Sequence, residues 1–181
     1  FFRKNFTYNK KTKKKISAIM VVHVFGNLVN LKPLLDICKK RNIDIIEDAA
    51  ESFGSYYINK KKMNHAGTIG KFGCISFNGN KIITCGGGGA ILTQKKGLAE
   101  KVRYLVSQAK DDSIKFIHND IGYNYRISNL HAAVGLSQIE NINKILQKKE
   151  KIYNFYKREI MKVKGISIVE PPKYCKVNNW I

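Results

Sequence analysis

The chain has 181 residues, 44% of them hydrophobic and 25% charged, with a formal net charge of +20. That length suffices for one domain with a sizeable core, and the composition is that of a globular chain, not a disordered one. No run reaches the length of a membrane-spanning helix; the longest strongly apolar stretch, Ile16–Phe25, is interrupted by Ser17 and His23.

The charge raises the possibility of an anionic partner such as nucleic acid. Only five of the 33 basic residues are Arg, however, and Arg is the usual choice for bidentate phosphate and base contacts. The lysines are scattered, with short runs at Lys10–Lys15 and Lys60–Lys62. A solvated lysine-rich surface accounts for them. Cys38, Cys74, Cys85 and Cys175 form no CxxC pair and lie mostly in apolar runs. They read as reduced core residues of a cytoplasmic protein. The four histidines make no ligand-spaced cluster with them, so no metal is expected.

In chain order, Phe1–Lys15 reads as loop or a weakly amphipathic piece, with no apolar segment of a secretory signal. Ile16–Val24 reads as a buried strand. Asn30 can cap a helix to about Arg41, with Leu31, Leu34, Leu35 and Cys38 on one stripe and Pro33 in the first turn. Ile43–Ile46 is a second apolar strand. Strand, helix and strand in this span make a βαβ unit, and so an α/β protein with a mostly parallel sheet and helices on both faces. The second strand runs into Glu47-Asp48-Ala49-Ala50-Glu51. Ligands gather at the carboxyl ends of strands in such sheets, so these carboxylates are site candidates; a solvated turn or helix start explains them equally well.

Ser52–Lys71 reads as loop. Phe72–Phe77 and Gly89–Thr93 read as strands, and the segment between them holds Lys81 followed by Gly86–Gly89. The glycines run into a strand, and the lysine precedes them. The first fact speaks against a phosphate loop or dinucleotide fingerprint, which must open a helix, and the second against a phosphate loop; the glycines alone read as a flexible hairpin. Leu98–Ala109 predicts a helix and Lys110–Asn119 a polar connection. Ser128 caps a predicted helix to Lys162 with the stripe Ile139, Ile142, Leu146, Tyr153, Tyr156, Ile160. At 1.5 Å per residue it would be about 50 Å long. Ile166–Val169 reads as a further strand.

A lysine in a dry pocket gives up its charge more readily and becomes a nucleophile toward carbonyls. Pyridoxal phosphate uses such a lysine together with an acid at its pyridine nitrogen. Asp48 has the right type and placement for that acid. Ser76 and glycine N–H groups could meet a phosphate.

These residues, taken with Gly67-Thr68-Ile69-Gly70, Ser76-Phe77-Asn78-Gly79-Asn80-Lys81, Gly122–Leu130 and His131-Ala132-Ala133, resemble the core of the DegT/DnrJ/EryC1/StrS nucleotide-sugar aminotransferases. The resemblance covers about residues 16–160. It implies an aspartate-aminotransferase-like fold, pyridoxal phosphate fold type I, in a homodimer. Residues 1–162 would be a partial large cofactor-binding domain that includes the connecting helix 128–162. Residues 163–181 would begin a small C-terminal domain. Lys81 matches the catalytic lysine, which holds the cofactor as a Schiff base and shuttles a proton. Asp48 matches the acid at the ring nitrogen, Glu51 a position near the ring 3-hydroxyl, and Ser76 a phosphate ligand. Asn124 matches a residue reaching the neighbouring subunit's cofactor phosphate, with Arg126 in the same segment. His23 sits in the family's Val-His-x-x-Gly element without an assigned role. A lysine here speaks against the sugar dehydratase branch, which carries histidine.

The implied reaction moves an amino group from glutamate to a nucleotide-linked keto-sugar, a 4-keto-6-deoxyhexose, for surface polysaccharide or amino-sugar biosynthesis. The family's N-terminal Gly-Thr/Ser-x-Ala phosphate turn has no match, so the chain reads as part of a longer protein. A basic nucleic-acid-binding protein and a non-catalytic or regulatory member of the same family stay open as alternatives.

Overall fold

The computed structural model describes residues 1–3, 5–59, 62–112 and 114–180. Phe1–Lys15, expected as loop or a weakly amphipathic piece, contains strands among its described residues. They make a small antiparallel sheet of β1 (Phe2–Arg3), β2 (Phe6–Tyr8) and β3 (Lys15–Ile16), in that order. Turn chemistry builds it. Asn5 and Lys13 take φ of 62° and 59°, and Asn9 Oδ1 accepts the N–H groups of Lys11 and Thr12, both at 2.9 Å. Lys15 Nζ sits 3.6 Å from the centre of the Phe6 ring, so a lysine covers an aromatic ring that would otherwise face water.

The βαβ unit is present. β4 (Ala18–Val22) leads through a single turn of 3-10 helix at Val24–Gly26 into α1 (Leu31–Arg41), and then β5 (Asp44–Asp48). Asn30 caps α1 by accepting the Lys32 N–H, and Asn42 ends it in the left-handed conformation at φ 52°. Lys39, Lys40 and Arg41 occupy the last turn, where the helix dipole favours positive charge. The predicted loop 52–71 contains a hairpin, β6 (Tyr56–Asn59) and β7 (Lys62–His65), followed by β8 (Phe72–Ser76) and β9 (Gly89–Leu92).

The central sheet has the order β4-β5-β8-β9. Its first two pairings are parallel and the last is antiparallel. The α/β reading therefore holds, with an antiparallel strand added at one edge. The pleat gives each strand two faces. Val21, Ile45 and Ile75 pack with Leu31 and Cys38 of α1 into the main core. Met20, Val22 and Ile91 stand on the opposite face, 61%, 46% and 48% exposed.

α2 (Lys96–Val106) ends as Gln108 and Ala109 both turn to positive φ, and the expected connection folds into a short hairpin, β10 (Lys110–Asp112) and β11 (Ile117–His118). The long helix predicted over Ser128–Lys162 is two helices, α3 (Asn129–Glu140) and α4 (Ile142–Ile160). Asn141 separates them at φ −99°, ψ 5°, and its side-chain amide donates to the Ser137 carbonyl. That side chain competes with the helix ladder, which is the reason for the break. The apolar stripe continues across one irregular residue, so periodicity alone could not reveal it. Ile166–Val169 is not a strand; the strand of this region is β12 (Cys175–Lys176), which pairs antiparallel with β6.

Candidate active site

β5 ends in two adjacent carboxylates, and the pleat sends them to opposite faces. Glu47 points into the core and is fully buried. Its carboxylate meets His23 Nε2 at 3.0 Å and accepts N–H bonds from Gly67, Ile69 and Gly70 at 2.9, 2.7 and 2.5 Å. Burial pushes its acidity down, but the bonds from His23, Gly70, Gly67 and Ile69 outweigh that and hold the carboxyl below its usual range. His23 Nδ1 accepts the Val29 N–H at 3.2 Å. A backbone N–H can only donate, so the ring proton sits on Nε2 and is given to Glu47. This pair fixes the Gly67–Gly70 loop over the sheet. The loop lies so close that a side chain at Gly73 would meet the Gly67 carbonyl at 2.0 Å.

Asp48 faces the other way, in a row with Val22, Cys74 and Ile91 across the four strands. Its backbone carbonyl accepts the His23 N–H, and Oδ1 accepts the Ala50 N–H at 3.1 Å. Burial and then the charge of Asp48 push the Cys74 thiol up. Ser76 stands on the same face as Asp48, at the carboxyl end of β8. Its Oγ accepts the Asn78 N–H at 3.3 Å.

The loop after β8 carries Lys81. Lys81 N–H donates to the Asn78 carbonyl, and Ile82 and Ile83 sink into a second core with Trp180, Ile142, Ile145 and Leu146. The backbone beside the lysine is thereby anchored while its side chain stays 13% exposed. Gly88, at φ 84°, closes the loop where a Cβ would meet Ile127 Cγ2 at 2.6 Å. Lys81 Nζ lies 3.7 Å from Glu51 Oε1, and Glu51 Oε2 accepts the Phe25 N–H at 2.7 Å. Glu51 thus ties the turn after β4, where Phe25 holds φ 55°, to the lysine loop.

Asp48, Glu51, Ser76 and Lys81 all lie at or just beyond the carboxyl ends of β5 and β8. Asn124 is elsewhere. It lies on an exposed segment strapped to the end of α2 by a bridge with Ser107, and bonds to none of these four among the described residues. A cleft of about 940 Å³ lies at the opposite end of the strands, where β5 and β8 begin, beside Asp44, Lys71 and Thr93, and does not include Lys81. The sequence placed Glu47 among the carboxylates at this strand end but did not show that it faces inward. Nothing in the sequence signalled Trp180, which approaches Lys81 from 99 residues further along the chain.

The model of the DegT/DnrJ/EryC1/StrS aminotransferase family matches residues 7–181. GDP-perosamine synthase of Caulobacter vibrioides is 36% identical over 157 residues, which are 87% of this chain and 41% of that protein. The UDP-4-amino-4,6-dideoxy-N-acetyl-beta-L-altrosamine transaminase of Campylobacter jejuni is 33% identical over 173 residues, 92% of this chain and 44% of that protein. Among solved structures, a DegT DnrJ EryC1 StrS aminotransferase from Brucella abortus superposes with a TM-score of 0.83 at 26% identity, covering 94% of this chain and 44% of that one. Helicobacter pylori PseC, an aminotransferase involved in the biosynthesis of pseudoaminic acid, gives 0.81 at 27% identity, with 91% and 44% covered. The chain therefore spans less than half the length of these relatives. Its α/β architecture is the fold-type-I architecture of these sugar aminotransferases, and the chain belongs to the DegT/DnrJ/EryC1/StrS aminotransferase family.

Proposed function

We propose that the full-length protein is a pyridoxal-phosphate-dependent aminotransferase. It moves an amino group from glutamate to a nucleotide-linked keto-sugar, a 4-keto-6-deoxyhexose, in surface polysaccharide or amino-sugar biosynthesis. We place it in the cytoplasm as a homodimer. The observation that carries the reading is Lys81: a lysine only 13% exposed, on an anchored loop, with a carboxylate 3.7 Å from its amine. The relatives named above are synthases and transaminases of GDP- and UDP-linked amino sugars, which supports the substrate class.

The donor set fits the cofactor. When bound, pyridoxal phosphate supplies an electron-accepting ring and a carbonyl. Lys81 Nζ would hold it covalently and then carry a proton to and from the substrate carbon. Asp48 would keep a proton on the ring nitrogen. Its Oδ1 is engaged by Ala50, and its other oxygen has no hydrogen-bond partner among the described residues. Ser76 Oγ accepts from Asn78, which leaves its hydroxyl hydrogen for a phosphate oxygen. Glu51, beside Nζ and tied to Phe25, would stand near the ring 3-hydroxyl. Asn124, on its separate exposed segment, would serve the neighbouring subunit.

Borohydride reduction of the full-length protein carrying the cofactor tests this. The cofactor should end up on the peptide containing Lys81. Glutamate should discharge the yellow band and a nucleotide-linked keto-sugar should restore it. Cofactor on another lysine overturns the assignment, and no cofactor at all overturns the enzyme.

A further inference from the structure

We infer that Trp180 is the positioning residue of Lys81. Its bearing on catalysis rests on the reading of Lys81 given above; the contact does not. The Trp180 ring centre lies 4.6 Å from Lys81 Nζ. The indole N–H donates to the carbonyl of Asn80, the residue just before the lysine, at 2.6 Å. One side chain therefore touches the amine and also grips the backbone from which it grows.

The indole is itself held firmly. Trp180 is 8% exposed, and its ring stacks on Phe25 with centres 6.2 Å apart. Its backbone N–H donates to Asn178 Oδ1 at 3.0 Å, and its carbonyl accepts from Lys149 Nζ at 2.8 Å. Asn178 is 1% exposed and its amide donates to the carbonyls of Glu51 and Phe53. Phe25 and Asn178 both lead back to Glu51, the carboxylate 3.7 Å from the amine. The amine thus meets a carboxylate and an aromatic ring that are both built on the same few residues. A cation is attracted to that face, and the ring also keeps water off. Trp180 sets where Nζ points and how readily a reagent reaches it.

Brief acetylation of the full-length protein, first stripped of any bound pyridoxal phosphate so that the Lys81 amine is free, and read lysine by lysine by mass spectrometry, tests this. Lys96, whose side chain is 91% exposed, calibrates the reagent; Lys71, 34% exposed just before β8 at the far end of the strands, reports general loosening. Trp180→Ala should raise acetylation of Lys81 about two- to fivefold relative to Lys71, the span of a surface cation–aromatic contact. Trp180→Phe keeps a ring face but loses the bond to Asn80, and should give a smaller rise. It also serves if the alanine variant does not fold. An unchanged Lys81-to-Lys71 ratio in a folded variant overturns the inference, as does an equal rise at both. Shielding by Trp180 in a protein that binds no pyridoxal phosphate would sink the proposed function alone. Borohydride fixing the cofactor on Lys81 of the loaded protein, with an unchanged acetylation ratio in the stripped protein, would sink this inference alone.

Discussion

The Lys81 loop and the segment running from Gly122 through α3 are the two parts of the chain richest in family motif, and they are built in opposite ways. Around Lys81 almost everything is paired or buried: Ile83 is 1% exposed, Trp180 8%, and Glu51 bridges two loops. Along the second segment the large apolar side chains face outward. Tyr125 is 71% exposed, Leu130 81% and Leu136 58%, and α3 has no buried residue. An apolar outer surface of this kind is the pattern of a face that packs on something further. The first region is closed by contacts with α4 and Trp180, and the second leaves its large apolar side chains exposed.

The largest effect should come from the closed side. In the full-length protein, Lys81→Ala should lower turnover by about 10³-fold or more, the scale of a lost proton-transfer group, with far-ultraviolet circular dichroism unchanged. An active variant would break the comparison at its stronger end. Next comes Glu47. Glu47→Ala leaves His23 and the N–H groups of Gly67, Ile69 and Gly70 without their acceptor. It should cost about 3–5 kcal/mol in urea unfolding. The native carboxyl titrates below its ordinary 4.5, so its stabilisation is fully present above that value and is lost as pH falls through the folded one. Glu47→Gln should flatten that acid-side loss of stability; an unchanged acid slope would show that Glu47 is not its source.

The outward region is tested by mixing. If Asn124 serves the neighbouring subunit, Lys81→Ala and Asn124→Ala chains unfolded and refolded together should recover about a quarter of wild-type activity, since half the dimers then hold one intact site. No recovery would mean that both residues serve one chain. The smallest effect lies where the regions join. Asn141→Ala removes the side chain that breaks the helix and should change stability by less than about 1 kcal/mol while raising helicity slightly. A large loss would show that the break positions α4 for the packing of Ile142 and Leu146 beneath the lysine loop.

Much of this was legible because it is local. The βαβ unit followed from apolar runs and the Asn30 cap, and Lys81 from its place between two strands. Asp48 could be placed at a strand end because it follows the apolar run Ile43–Ile46. What stayed hidden depends on distant partners or on single side chains. Alternation says that Glu47 and Asp48 face opposite ways. It does not say which faces inward; the N–H groups of Gly67–Gly70 decide that. Asn141 sits within an unbroken stripe. Cys175–Lys176 is a strand only because β6 offers it an edge. The aromatic lysine-rich start looked like loop because its fold rests on the Asn5 and Asn9 turns.

The uncovered face of the central sheet, with Met20, Val22 and Ile91, has a consequence for how copies of this chain behave toward one another. Such a face is sticky, yet the 181 residues carry a charge of +20, and like-charged particles repel. At low ionic strength the repulsion reaches well beyond the surface and keeps copies dispersed. Near 1 M salt it shrinks to about 3 Å, while the attraction between apolar faces is undiminished. Colloidal stability of this chain is thus electrostatic in origin, and added salt works against it.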